Sequence, residues 1–294
     1  MKNNIKGVGV ALVTPFDKKG NVDFEALDRL VDHVTKGGVD YLVVLGTTAE
    51  TPTLTNAEKD AIAARIIERN AGRLPVVIGV GGNCTANVVE QLQTSDFTGI
   101  DAILSVTPYY NKPSQEGLFQ HYKAVAQASP VPVILYNVPG RTGVNMSAET
   151  ILRIAREVKN VLGIKEANGS ITHMAKLIKE RPEGFLVISG DDGMTLPLAS
   201  IGGDGVISVL ANAFPANMTT MLGKTMKGDT KGAIEEFSRL SELCQAIFEE
   251  GNPSGIKSVM GIKGMMEDAV RLPLVCCSPG LQSKIRSIIE RERL

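Results

Sequence analysis

The sequence predicts an α/β protein, a closed (β/α)8 TIM barrel with a C-terminal helical extension, and three observations support this prediction. Eight short runs rich in Val, Ile and Leu recur between longer amphipathic segments. The runs are continuously apolar rather than alternating, which is typical of parallel strands buried on both faces. Eight strand–helix units over roughly the first 230 of 294 residues fit one barrel, whereas a doubly wound sheet usually has about five to seven strands.

Each predicted strand is one apolar run that ends in polar or small residues. The runs span residues 8–15, 41–48, 74–82, 101–110, 131–139, 160–168, 185–192 and 205–215. An apolar stripe at helical spacing follows the first run and consists of Phe24, Leu27, Leu30, Val31 and Val34. Gly37 comes after this stripe, where a C-terminal capping glycine would end the helix.

The last part of the chain has helical patterns without further strands. Segments such as KGAIEEFSRLSELCQAIFEE lie beyond Met226. We expect a barrel over residues 1–225 and a helical region over residues 226–294 that packs on it. No linker rich in Gly, Ser or Pro separates the two, so the helical region is not expected to be an independent module.

Composition excludes several classes of protein. The chain has 31 basic and 32 acidic residues and a net charge of −1, without a basic run that could follow a phosphate backbone, so nucleic acid is not an expected partner. No segment approaches the length of a membrane span, and the N-terminal apolar run is too short for a secretory signal. The four cysteines show no metal-ligand spacing with the three histidines. We therefore expect a reduced, cytoplasmic protein that holds no metal.

Candidate site residues follow the predicted strands, because the chemistry of a TIM barrel lies at the C-terminal ends of its strands. Lys165 is exceptional, since it lies within the apolar run of NVLGIKEANGS. Removing an ammonium from water favours its neutral form, which can attack a carbonyl and form a Schiff base. The alternative is a structural ion pair with Glu166 or another carboxylate. Adjacent strand residues point to opposite faces, so we expect Glu166 to lie outside the barrel interior.

Four more polar residues lie after predicted strands, and each has two interpretations. The phenol of Tyr136 can shuttle a proton, or it can cap the barrel with its hydroxyl bonded to a backbone carbonyl. Arg141 can grip a carboxylate with two parallel hydrogen bonds, or it can face water. Thr47 and Thr48 can bind an anion, or they can cap the following helix.

The acidic pair Asp191 and Asp192 could suggest a metal site, but no third carboxylate or histidine pair accompanies it at a strand end. The glycines of SGDDG and GGDGVIS could form the phosphate cradle that many barrels build after strands seven and eight. Alternatively, these glycines only permit close packing or a tight turn.

Five ordered motifs carry a family resemblance. They are GTTAE, TPYYNKPSQEGLFQHY, YNVPGRTG, GIKEA and SGDD. Over essentially the whole chain the sequence resembles the dihydrodipicolinate synthase family, within the N-acetylneuraminate lyase superfamily of class I aldolases. The resemblance implies condensation of pyruvate with aspartate 4-semialdehyde to 4-hydroxy-tetrahydrodipicolinate in lysine biosynthesis by the diaminopimelate route. It also implies that no cofactor is needed and that the protein is a homotetramer built from tight dimers.

The resemblance assigns catalytic roles by position. Lys165 is expected to form the Schiff base with pyruvate, and Tyr136 is expected to donate and accept protons. Thr47 and Tyr110 are expected to complete the proton relay, with Tyr110 contributed by a neighbouring subunit.

The resemblance also assigns substrate-binding roles. Thr48 and the backbone at Ile207 are expected to contact pyruvate, and Arg141 is expected to receive the carboxylate of the semialdehyde. Sialic acid lyases generally lack an arginine at this position. The alternatives are a related aldolase for N-acetylneuraminate or 2-keto-3-deoxy sugar acids, and a non-catalytic sensor of keto acids.

Two departures from the family pattern bear on function. Ala49 replaces the usual glycine of GTTGE, which the loop should tolerate only where φ is negative. The positions of a degenerate lysine feedback site are Thr51, Asn56, Lys59, Asn83, Asn87 and Tyr109. Lysine-inhibited members carry histidine and glutamate where this chain has Lys59 and Asn87, so we expect weak or absent inhibition by the lysine cation.

Overall fold

A computed structural model describes residues 5–294 of the chain. Its strands run parallel and close as a barrel in the chain order β1 to β8. Their bounds are β1 Gly7–Ala11, β2 Tyr41–Val44, β3 Val76–Gly79, β4 Ala102–Val106, β5 Val133–Asn137, β6 Val161–Glu166, β7 Leu186–Ser189 and β8 Gly205–Ser208. The predicted (β/α)8 barrel is confirmed.

Helices follow the strands throughout the described chain. They are α1 Phe24–Lys36, α2 Asn56–Asn70, α3 Thr85–Thr94, α4 Gln115–Ala128, α5 Pro139–Thr142, α6 Ala148–Glu157, α7 Ile171–Glu180, α8 Thr195–Ser200, α9 Pro215–Met226, α10 Thr230–Ala246, α11 Ser254–Ile262 and α12 Pro279–Glu292. Among the helices of residues 5–294, none combines the length and the hydropathy that a membrane crossing requires.

Helix ends follow from local sequence. The Asp23 carboxylate accepts a hydrogen bond from a first-turn amide of α1, and Thr55 with Glu58 forms a reciprocal capping box at α2. Gly37 is the C-terminal cap of α1, as the sequence predicts.

The described chain divides into two compact units. The first unit comprises residues 5–6 and Pro75–Ile207, and the second comprises Gly7–Leu74 and Ser208–Leu294. In the second unit α1 packs on α2, and α10 packs on α9 and α12. The helices α10 to α12 confirm the predicted C-terminal helical region, while the boundary at residues 225 and 226 stays a prediction.

The strands of the first unit have two buried faces. Leu135, Ile164 and Val187 point outward into the core formed with the surrounding helices. The next residue of each strand therefore points into the barrel, because side chains alternate along a strand. Tyr136 pairs in register with Lys165, which pairs in register with Ile188 on the other side. The lysine and the tyrosine thus share one level of the barrel interior.

Candidate active site

Lys165 lies on β6 in the first unit and is 5 % exposed. Its Nζ lies 4.3 Å from the centre of the Tyr136 ring, so the amine faces the electron-rich face of an aromatic ring. No carboxylate of residues 5–294 forms an ion pair with it. The structure therefore provides a buried amine that has no carboxylate partner in the described part of the chain.

Glu166 is fully buried on the opposite face of β6. Its two carboxylate oxygens accept hydrogen bonds from Asn137 Nδ2 at 3.0 Å, and one accepts from the amide of Asn168 at 2.8 Å. His173 Nε2 of α7 lies 3.1 Å from the other oxygen. This carboxylate links β6 to β5 and to α7. It does not pair with Lys165, as strand alternation predicts.

Tyr136 is 6 % exposed at the end of β5. Its backbone carbonyl accepts a hydrogen bond from the amide of Thr107 at 3.0 Å. Its hydroxyl makes no hydrogen bond to any group of residues 5–294, so the interpretation of a phenol capped by a backbone carbonyl does not hold. The hydroxyl is available to a ligand beside the amine.

Gly190 follows β7 and borders Lys165. A Cβ atom at this position would lie 2.7 Å from Ala167 Cβ and 3.2 Å from Lys165 Cε. Because these distances are shorter than ordinary van der Waals contacts, glycine is required here for close packing. The Asp191 carboxylate accepts a hydrogen bond from the amide of Gly193 at 2.8 Å and so stabilises the turn that follows.

Two other predicted site residues of the first unit are exposed. Tyr110 is 88 % exposed and has a left-handed backbone with φ 72°. Arg141 is exposed on the single turn α5, which follows β5 after Val138. Ile207 is buried on β8. The structure thus brings Lys165 and Tyr136 together and leaves the phenol of Tyr110 open to solvent in the single chain.

Thr47 and Thr48 lie in the second unit, on a short turn after β2. Thr48 is buried, and its Oγ1 accepts a hydrogen bond from Asn252 Nδ2 at 3.1 Å. The following helix, α2, is capped by Thr55, so the helix-capping interpretation of the two threonines does not hold. Ala49 has no positive φ, as its tolerance in this loop requires, and Glu50 takes the left-handed conformation instead.

The predicted feedback positions lie in both units. In the second unit Thr51 Oγ1 donates to the carbonyl of Gly46 at 2.9 Å, and Lys59 Nζ lies 3.5 Å from Asn56 Oδ1. In the first unit the carbonyl of Asn83 accepts from Asn111 Nδ2 at 2.8 Å. The remaining two feedback positions are the exposed Asn87 and Tyr109.

Sequence reasoning missed three residues that hold the Thr47–Thr48 turn. They are Glu50, Asn252 and Lys257. A signal for one of them was present, because Lys257 interrupts the apolar pattern of SGIKSVMGI as Lys165 interrupts its strand. Glu50 had only its place at the end of the motif GTTAE, and Asn252 had no comparable local signal.

The sequence of this chain is similar to those of known proteins over nearly its whole length. The model of the dihydrodipicolinate synthetase family matches residues 4–292. The chain is 55% identical to the 4-hydroxy-tetrahydrodipicolinate synthase of Parabacteroides distasonis, over 98% of this chain and 97% of that one.

Solved structures give the same result. A dihydrodipicolinate synthase from Thermotoga maritima superimposes with a TM-score of 0.95 at 40% identity, over 98% of both chains. A dihydrodipicolinate synthase from Acinetobacter baumannii, solved in complex with pyruvate, also has a TM-score of 0.95, at 38% identity over 98% of this chain and 99% of that one.

Proposed function

The chain belongs to the dihydrodipicolinate synthetase family, and we propose that it condenses pyruvate with L-aspartate 4-semialdehyde to give 4-hydroxy-tetrahydrodipicolinate. The observation that carries the proposal is the buried amine of Lys165, which has no carboxylate partner in residues 5–294 and faces the Tyr136 ring. Such an amine is suited to attack a keto group, because no carboxylate of the described residues holds it in an ion pair and a primary amine is the nucleophile that forms Schiff bases with carbonyl compounds.

The reaction begins with the neutral amine of Lys165. It adds to the keto carbon of pyruvate, and loss of water gives a protonated imine. The imine nitrogen accepts the electron pair that remains when a methyl proton leaves, and the product is an enamine. The enamine carbon then attacks the aldehyde carbon and forms the new C–C bond. Finally, the amino group of the semialdehyde attacks the imine carbon, closes the ring and releases Lys165.

Proton transfers in these steps need a group beside the imine. The Tyr136 hydroxyl, unbonded within residues 5–294, is the donor and acceptor that we assign. We assign Thr47 and Tyr110 to the relay that returns the proton. The exposure of Tyr110 supports its use by a neighbouring subunit.

Substrate binding requires groups for two carboxylates. The amide of Thr48 suits the carboxylate of pyruvate, and so does its hydroxyl, which accepts from Asn252 and keeps its own proton for a ligand. We assign the backbone at Ile207 to contact with the same substrate. The exposed guanidinium of Arg141 suits the carboxylate of the semialdehyde.

A trapping experiment tests this function. Borohydride reduction in the presence of pyruvate should add mass to Lys165, as identified by peptide mass spectrometry. Turnover should be highest with aspartate semialdehyde, compared with N-acetylneuraminate and 2-keto-3-deoxy sugar acids. Labelling with preferred cleavage of a sugar acid would indicate a related aldolase, and absence of labelling would indicate a keto-acid sensor.

We also propose that the protein acts in the cytoplasm as a homotetramer, a dimer of dimers. A subunit boundary at Tyr110 would bury a phenol that is 88 % exposed in the single chain. Sedimentation at micromolar concentration tests the assembly, and a monomer with full activity would contradict the role of Tyr110.

Inhibition by lysine should be weak or absent. Lys59 and Asn87 provide no carboxylate for a cationic ligand, and the loss of one hydrogen bond to a charged group costs about 1.5 to 3 kcal/mol. An activity assay over a range of lysine concentrations measures this. The double variant Lys59→His, Asn87→Glu is the matched control and should gain sensitivity to lysine. Half-maximal inhibition of the unmodified protein at sub-millimolar lysine would contradict the prediction.

Gly190→Ala should slow Schiff-base formation. The new methyl group would press on Ala167 and on Cε of Lys165, and a displacement of the reactive group by about 1 Å can cost about 10²-fold in rate. The rate of borohydride labelling at a fixed pyruvate concentration measures the effect. Gly223→Ala in α9 is the control, because a Cβ there meets nothing within 4 Å, and its labelling rate should not change.

A further inference from the structure

A fully buried ion pair lies in the second unit. Lys257 of α11 and Glu50 have their charged atoms 2.5 Å apart, and both side chains are 0% exposed. Lys257 Nζ also donates to the carbonyl of Ala269 at 2.8 Å and lies 4.1 Å from the centre of the Phe16 ring. Burial lowers the pKa of Lys257, while the neighbouring Glu50 opposes this shift. The carboxylate thus helps to keep the amine charged.

Glu50 directly follows the turn that carries Thr47 and Thr48. Its amide donates to the carbonyl of Thr47 at 3.2 Å, and its second carboxylate oxygen accepts from the amide of Arg271 at 2.9 Å. Both carboxylate oxygens are therefore held by the C-terminal region of the second unit.

The backbone of Glu50 is in a strained conformation. Its φ is 54° and its ψ is 33°, a left-handed backbone conformation that residues other than glycine and asparagine rarely adopt. Such a residue persists when its surroundings hold it in place. The ion pair with Lys257 and the bond from Arg271 provide this restraint.

The same C-terminal segment also fixes the Thr48 hydroxyl. Asn252 precedes α11, and its amide group donates to Thr48 Oγ1 across 204 residues of sequence. Because the NH₂ group can only donate, the oxygen accepts and the hydroxyl proton is left for a ligand. Three polar contacts from residues 252–271 thus hold a turn of four residues, 47–50.

A buried ion pair is weak evidence for a stabilising role, because apolar replacements of similar volume are often as stable. We propose that the Lys257–Glu50 pair is the positioning element of the Thr47–Thr48 turn, and that with Asn252 it sets the affinity for the carboxylate of the first substrate. This inference rests on the proposed function, in which that substrate is pyruvate. Lys257, Glu50 and Asn252 are positioning residues, and the substrate contacts stay with Thr48.

The test removes both charges at nearly constant volume. In the variant Lys257→Met, Glu50→Gln, the KM for pyruvate should rise about tenfold or more, as expected when a hydrogen bond to a charged ligand is misplaced. The KM for aspartate semialdehyde should not change, and borohydride should still label Lys165 fully at saturating pyruvate. A loss of stability alone would not separate the two substrates in this way.

The control breaks an ion pair elsewhere in the second unit. Lys224 and Glu236 lie 3.1 Å apart and join α9 to α10. The variant Lys224→Met, Glu236→Gln should keep the pyruvate KM of the unmodified protein. Asn252→Ala should raise the pyruvate KM in the same direction as the first variant.

Several outcomes would overturn the proposal. An unchanged pyruvate KM in the double variant is one, and an equal loss for both substrates is another. If the double variant does not fold, the KM values for the two substrates are compared in Glu50→Gln alone. This substitution keeps the shape of the side chain and removes one charge. Failure of the unmodified protein to be labelled on Lys165 would instead contradict the proposed function itself.

Discussion

Replacing Lys165 with methionine should abolish turnover while leaving the fold intact. Methionine fills a similar volume but cannot form an imine, and loss of the nucleophile in a covalent enzyme can cost on the order of 10⁶ in kcat. Removing a buried amine that makes no ion pair within residues 5–294 also removes the cost of burying a polar group, so thermal stability should be equal or higher. Steady-state assays and a thermal unfolding scan measure the two effects.

A second lysine provides the matched control for this substitution. Lys263 Nζ lies 4.4 Å from the centre of the Phe214 ring, so it also faces an aromatic ring, but it is exposed. Lys263→Met should keep full turnover and full borohydride labelling at Lys165. Residual labelling in Lys165→Met, at another lysine and with retained activity, would contradict the assignment of the nucleophile.

Removing only the hydroxyl of Tyr136, by the substitution Tyr136→Phe, should lower kcat by about 10²- to 10⁴-fold, the usual contribution of a positioned acid or base. The aromatic ring beside Lys165 would stay, so pyruvate should still label the lysine, but more slowly. Stability should change little, because this hydroxyl makes no hydrogen bond within the described residues. Pre-steady-state labelling and steady-state turnover together measure the effect.

Tyr122 is the control for this experiment because it is a fully buried tyrosine of the same unit. Its hydroxyl donates to the carbonyl of Ser105 at 3.0 Å. Tyr122→Phe should lower the free energy of unfolding by about 1 kcal/mol and leave kcat unchanged. If Tyr122→Phe lost turnover and Tyr136→Phe kept it, a group other than the Tyr136 hydroxyl would transfer the proton.

Much of the fold and part of the site could be predicted from local sequence. Continuous apolar runs gave the parallel strands, and alternation along β6 placed Lys165 and Glu166 on opposite faces. The same alternation could not show that the Tyr136 ring lies over the amine, because that depends on the register between β5 and β6. Nor could it choose between the two interpretations of Gly190, which the neighbouring Lys165 and Ala167 decide.

Local sequence was enough to predict which elements form, which strand carries Lys165 and which family motifs the chain contains. These properties depend on residues a few positions apart, so periodicity and motif spacing reveal them. The contacts that hold the Thr47–Thr48 turn are visible only in the folded chain, since Thr48 and Asn252 are 204 residues apart in the sequence. Contacts of that range depend on how whole elements pack, and no local pattern of residues encodes them.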